Sequence, residues 1–206
     1  MSKQGVIAVI SGFSGAGKGT VVKALVDCYQ YALSVSVTTR EPREGEQHGV
    51  HYFFQSNEEF EQMIREDRLM EYAGYVDHYY GTPKDFVMQK AEQGTDVILE
   101  IEMQGALQIK KKFPEAVLVF ITPPSYEELK KRLIGRGTET EDVIEKRLHR
   151  AAEECVYMDQ YDYIVVNDDL ETCVKQIHCL IQSVHLMKDN QTALSSRIKA
   201  DFAKHQ

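Results

Sequence analysis

The sequence predicts an α/β fold in which helices flank a central parallel sheet. Four apolar runs rich in β-branched residues, at residues 6–10, 97–101, 117–121 and 163–166, lack the polar alternation of a one-sided strand, as strands covered on both faces do. Helical patterns lie between them, including residues 18–30 and 104–112, the latter stopped by Pro114. Strand and helix therefore alternate as in βαβ units. A glycine-rich turn joins the first run to the first helix.

Two regions interrupt this alternation. From about residue 34 to about residue 85 the sequence is polar and aromatic. Strand patterns at 34–39, 50–54 and 75–80 surround a helix that Ser56 and Glu59 open as a capping box, which predicts a flap inserted on the sheet. Two helices then span about 125–159. Ser125 with Glu128 opens the first and Thr138 with Glu141 the second, and Gly135 and Gly137 lie between them. A helical hairpin with a glycine elbow predicts a lid. Residues 188–206 read as a polar C-terminal tail. All of this fits one folding unit of 206 residues, since two independent cores need more chain.

Composition narrows the function. Hydrophobic residues make up 43% and charged residues 27%, as in ordinary globular domains. The formal net charge of -8 disfavours nucleic acid or an anionic membrane as partner, and a small anionic substrate requires a local cationic site. The apolar run after residues 1–5 is too short for a signal peptide or a membrane span, so a cytoplasmic location is expected. Cys28, Cys155, Cys173 and Cys179 have neither metal-ligand nor disulfide-frame spacing.

The glycine-rich turn is Gly12-Phe13-Ser14-Gly15-Ala16-Gly17-Lys18-Gly19-Thr20. Between a strand and a helix this spacing makes a phosphate-binding loop: backbone N–H groups turn inward around an anion, the helix N-terminus adds its positive end, and Lys18 supplies a point charge. The position after Lys18 commonly carries a hydroxyl, but here it is Gly19, with Thr20 next. A hydroxyl at 19 cannot ligate Mg²⁺, so an ATP-bound ion held through solvent is expected.

With this loop the chain resembles the guanylate kinase family, from the N-terminal region to about Leu186. The resemblance rests on Gly12 to Thr20, on Ser36-Val37-Thr38-Thr39-Arg40-Glu41-Pro42-Arg43-Glu44-Gly45-Glu46, on Glu71, and on Tyr79-Tyr80-Gly81-Thr82. It extends to Glu100-Ile101-Glu102-Met103-Gln104-Gly105, Arg132, Arg136-Gly137-Thr138-Glu139, Arg147 and Val166-Asn167-Asp168-Asp169. Phe13 stands where the family commonly has proline, and Glu100 and Glu102 where many members have aspartate. The resemblance implies a P-loop kinase with a GMP-binding flap and a helical lid, ATP and GMP as substrates, and Mg²⁺ with the ATP.

Residue chemistry runs beside it. Arg40 and Arg43 suit a fork onto one phosphate monoester, with Tyr52 and Tyr80 as neutral donors, although a solvated basic turn beside Glu41 and Glu44 has the same pattern. Glu46 belongs to the same segment. A carboxylate only accepts hydrogen bonds, and guanine offers N1–H and its 2-amine side by side. The resemblance places Glu71 and Glu102 on that edge and leaves Ser36 and Thr82 to donate to O6 or N7; a helix-start role for Glu102 stays open. It also implies that Glu100 organises water around Mg²⁺, near Thr20 and with no direct protein ligand.

Residues 130–150 hold seven cationic residues against four acidic ones, opposite in sign to the chain as a whole. The resemblance assigns Arg132, Arg136 and Arg147 to the transferring phosphoryl group; Lys130, Lys131 and Arg150 read as solvated helix surface. It gives Asn167 to adenine, where a turn-forming asparagine is the other reading. Two further readings stand: a guanylate-kinase-like interaction module without turnover, against which Lys18, Arg40, Arg43 and the lid arginines argue, and another P-loop small-molecule kinase, against which Ser36, Glu71, Thr82 and Glu102 argue. The sequence leaves open dGMP as acceptor and the choice between monomer and homo-oligomer.

Overall fold

The computed structural model describes residues 4–205 except Val76, Arg136, Thr138 and Glu139. The apolar runs become β1 (Ile7–Gly12), β7 (Val97–Glu100), β8 (Val117–Thr122) and β9 (Tyr163–Val166), joined at one edge by the two-residue β2 (Ala32–Leu33). They form one parallel sheet in the order β2-β7-β1-β8-β9. Val9, Ile10, Ile98, Leu99, Leu118 and Phe120 are fully buried in it, as a sheet covered on both faces requires. The covering helices include α1 (Lys18–Tyr29), α3 (Lys84–Glu92), α4 (Met103–Lys112) and α7 (Leu170–Val184). In α7, Val174, Ile177, Ile181 and Val184 share one apolar stripe, and Asp169 caps its first turn by accepting from the Thr172 N–H at 2.8 Å.

The flap is a second sheet in the order β4-β3-β6-β5, with a small core of its own made by Val37, Phe60 and Leu69. Its helix α2 (Asn57–Arg65) carries the expected box: Ser56 and Glu59 satisfy each other's backbone N–H groups. The strands differ from expectation. The patterns at 34–39 and 50–54 shrink to β3 (Val37–Thr38) and β4 (Phe53–Phe54), because the intervening loop folds on itself through side-chain bonds such as the Arg43 N–H to Glu46 at 2.8 Å. The pattern at 75–80 is not one strand but the tip of a hairpin of β5 (Leu69–Tyr75) and β6 (His78–Pro83). Asp77, at φ 63°, takes the left-handed turn that aspartate tolerates better than most residues.

The lid region holds α5 (Tyr126–Gly135) and α6 (Glu141–Glu154). Ser125 accepts the Glu128 N–H at 3.1 Å as expected. The second helix, however, has Thr140 as its N-cap, two residues after the expected Thr138, which itself lies outside the described residues. The tail region carries a 3-10 turn and α8 (Thr192–Ala203), with no buried residue. Among the described residues no helix is long and apolar enough to cross a membrane.

Candidate active site

The site is built on the carboxyl edge of the parallel sheet, where β1 ends and α1 begins, as open α/β sheets place their ligands. Lys18 opens α1 after Gly17, whose φ is 89°. A Cβ at Gly17 would lie 2.5 Å from the Asn167 amide nitrogen, so only glycine fits this turn. The Asn167 amide donates to the Ala16 carbonyl at 2.8 Å. Asn167 thus braces the loop from the end of β9, a task that the sequence does not disclose. Phe13 anchors the loop from the other side, its ring edge on Phe120 at 4.9 Å. The Lys18 ammonium donates to the carbonyls of Gly12 at 2.6 Å and Phe13 at 3.1 Å. Ser14, Gly15, Ala16, Gly19 and Thr20 complete a turn whose exposed part lies at Gly19 and Thr20.

A cleft of about 960 Å³ runs from this loop to the flap and is lined by Lys18, Ser36, Tyr52, Glu71, Tyr80, Glu100 and Glu102. Glu71 is 4% exposed, and burial pushes its carboxyl up to about 7 against the opposing pull of Thr82 and Lys112. The Thr82 hydroxyl donates to Glu71 at 2.6 Å. A hydroxyl has one proton, and in this structure Thr82 gives it to the carboxylate. Glu100 lies beside Gly19, its oxygen 3.7 Å from where a Cβ at 19 would stand. Burial raises its carboxyl, Lys18 lowers it and Glu102 adds to the rise. Glu102 is the N-cap residue of α4, yet its side chain makes no capping bond; it lies 3.6 Å from the Arg150 guanidinium.

At the flap end, Arg40 is fixed rather than solvated. Its guanidinium donates to Glu46 at 2.9 Å and to the Glu41 carbonyl at 2.6 Å, and it lies over the Tyr52 ring at 5.5 Å. Tyr52 and Tyr80 meet edge to face at 6.0 Å. Glu46 therefore organises the arginine, and its own carboxyl is held below the usual range, first by the Arg43 N–H and then by Arg40. Arg43 is exposed.

In the lid, Arg132 on α5 donates to Glu128 one turn earlier at 2.9 Å, and Arg147 lies half-buried on α6. Neither lines the cleft, and Arg136 falls outside the described residues. One cleft residue escaped the sequence reading, and another, Arg150, was read as helix surface. Ser34 lines the cleft and is buried, with a hydroxyl that has no hydrogen-bond partner among the described residues; nothing in its apolar sequence context marks it. Arg150 lines the cleft and also bonds Glu154 at 3.0 Å. Its spacing from Arg147, three residues along one helix, was the available signal.

A family model described as guanylate kinase matches residues 4–184. The chain belongs to the guanylate kinase family. It is 50% identical over 202 residues to a guanylate kinase of Caldanaerobacter subterraneus subsp. tengcongensis, covering 98% of each chain. It is 53% identical over 190 residues to one of Bacillus cereus, covering 91% of this chain and 93% of the other. The fold is similar to the crystal structure of guanylate kinase from Anaplasma phagocytophilum, with a TM-score of 0.74 and 31% identity over 91% of this chain and 89% of that one. The guanylate kinase match takes in the phosphate loop, the flap, the lid and α7, so the resemblance seen in scattered motifs extends through the segments between them.

Proposed function

We propose that the chain transfers the γ-phosphoryl group of ATP to GMP, giving ADP and GDP, in the cleft between phosphate loop, flap and lid. The observation that carries this reading is the buried Glu71 carboxylate on the same cleft as Lys18. Beyond the bond from Thr82 a carboxylate has further lone pairs to satisfy, and guanine's N1–H and 2-amine are a matching pair of donors.

ATP is held by residues 12–20, with Lys18 leaving the Gly12 and Phe13 carbonyls for the phosphates. GMP lies along the flap: Arg40, preset by Glu46, takes its phosphate with Arg43, Tyr52 and Tyr80, and Ser36, Glu71 and Glu102 read the base. Thr82 acts through Glu71, whose carboxylate it orients. Arg132, Arg136 and Arg147 come to the transferring group as the lid closes and excludes water. Asn167 keeps the loop in shape beside the adenine end. No base is needed, because a phosphate monoester has its second pKa near about 6 and its oxygen is ionised at neutral pH.

Mg²⁺ fits this donor set as an ion carried by ATP. Among the described residues no cluster of three acidic, histidine or cysteine side chains is suited to a metal, and Glu100 lies beside Gly19 at the loop's open corner. Such a corner suits an ion that keeps its waters and leans on substrate phosphates. When bound, Mg²⁺ neutralises charge that develops on the phosphates. The same reading has the enzyme work in the cytoplasm.

A coupled ADP-release screen over the nucleoside monophosphates tests the proposal. Turnover with GMP at least about 10³-fold above AMP in kcat/KM is expected, as for sites that hydrogen-bond a group the analogue lacks. Equal turnover of both, or none with GMP, contradicts it.

A further inference from the structure

Three features meet where the core grips the flap. β5 is the edge strand of the flap sheet, so one row of its backbone N–H and C=O groups has no strand to pair with. Its pairing with β6 shifts register between Leu69 and Tyr72, and Met70 and Glu71 sit in that irregularity, the kind of bulge that re-aims a side chain. Helix α4 of the core lies against this edge and replaces the missing strand. The Gln108 amide nitrogen donates to the Tyr72 carbonyl at 2.9 Å, and its oxygen accepts the Tyr72 N–H at 3.4 Å. The Lys112 ammonium donates to the Met70 carbonyl at 3.0 Å. Gly105 packs so closely that a Cβ there would lie 2.5 Å from a Glu71 carboxylate oxygen. Residues 105, 108 and 112 are spaced three and four apart and so share one helix face.

We infer that α4 is a specificity-determining element, in which Gln108, supported by Lys112 and Gly105, positions Glu71 by fixing the backbone on both sides of it. The N-cap of the same helix is Glu102. One helix therefore carries one base-reading carboxylate and sets the place of the other. Gln108 is a positioning residue: it touches the Tyr72 backbone and acts through Glu71. A carboxylate misplaced by about 1 Å loses on the order of 10²-fold in a geometry-dependent step, so bonds that hold its strand reach the substrate's selectivity. The inference rests on the reading of Glu71 as the residue that faces guanine's donor edge.

The test compares GMP with IMP, which keeps N1–H and the same phosphate but lacks the 2-amine. Gln108→Leu retains bulk and removes both bonds to Tyr72. It is expected to raise KM for GMP about 10-fold or more, to leave KM for ATP within about 2-fold, and to narrow the GMP to IMP ratio of kcat/KM. Gly105→Ala adds helix propensity, which offsets part of the cost of pushing on the Glu71 carboxylate, and should narrow the same ratio; it leaves the Gln108 bonds in place, so poor folding of the leucine variant leaves the inference open to refutation. Equal losses for GMP and IMP in both variants, or unchanged KM for GMP, overturn it. Glu71→Gln measured alongside separates the two levels. If it narrows the ratio and the Gln108 and Gly105 variants do not, the inference fails alone; if it leaves the ratio unchanged, the reading of Glu71 fails and takes the inference with it.

Discussion

Glu71→Gln keeps the shape of a side chain and removes its charge, which separates what the carboxylate costs the fold from what it contributes to recognition. Burial lifts this carboxyl from 4.5 to about 7. The folded protein therefore holds the proton more tightly than the unfolded chain. The group's contribution to stability is complete below 4.5, declines as pH rises between the two values, and is lost above about 7. At 1.36 kcal/mol per pH unit, that interval corresponds to about 3 kcal/mol. At pH 8 the glutamine protein is expected to be more stable by up to about 3 kcal/mol, or about 6–12 °C in Tm for a chain of this length. At pH 5 the advantage shrinks to under about 1 kcal/mol, because the wild-type carboxyl is then protonated in the fold. Recognition moves the other way. An amide nitrogen set against a guanine donor, without the charge, should cost GMP about 2–4 kcal/mol, or about 30- to 10³-fold in kcat/KM, and AMP much less. Thermal melts at pH 5 and 8 with ADP-release kinetics read both effects. No gain in stability at pH 8, or equal losses for GMP and AMP, refutes the reasoning.

Lys18→Met should lower kcat by about 10³-fold, roughly 4 kcal/mol of transition-state stabilisation, with binding of GMP, measured by calorimetry, nearly unchanged. Asn167→Ala removes the bond to the Ala16 carbonyl and opens space beside Gly17; a loss of about 1–2 kcal/mol should appear as an increase in KM for ATP near 10-fold, with KM for GMP steady in the same titrations. In the wild-type enzyme the GMP to AMP ratio of kcat/KM should rise with pH through about 7 and level off above it, since a protonated Glu71 can donate to the bare N1 of adenine while the ionised form accepts from guanine. The two substrates share their phosphate chemistry, so the ratio isolates the base.

The phosphate loop and the parallel sheet were legible because local sequence dictates them: apolar β-branched runs at β1, β7 and β8 cannot face water, and the glycines before Lys18 mark a turn that few other patterns make. The second sheet was less legible than the first. Its strands are two residues long at β3 and β4, and length is the main signal that a strand gives; the β5–β6 hairpin turns at Asp77, which carries no glycine to announce it. The site separates in the same way. Glu71, Glu100 and Glu102 were singled out from motif context, and the structure brings them to one cleft. The proton that Thr82 gives to Glu71, the brace that Asn167 provides for the loop and the grip of Gln108 on Tyr72 all join residues between 11 and 151 positions apart, and no local pattern encodes such pairs. Arg150 falls between these cases, displayed by its spacing from Arg147 but drawn into the cleft by Glu102 on another element.

Proton exchange on binding tests the central claim, that an ionised Glu71 holds the guanine donor edge, more directly than any rate. Titration of GMP into the enzyme at pH 7, by calorimetry in buffers of differing ionisation enthalpy, should show net proton release, because a carboxyl raised by burial to about 7 is partly protonated before binding and must be ionised afterwards. In Glu71→Gln the release should fall to the small amount that the GMP phosphate itself gives up. Release of the same size in both proteins, or none in the wild type, contradicts the assignment.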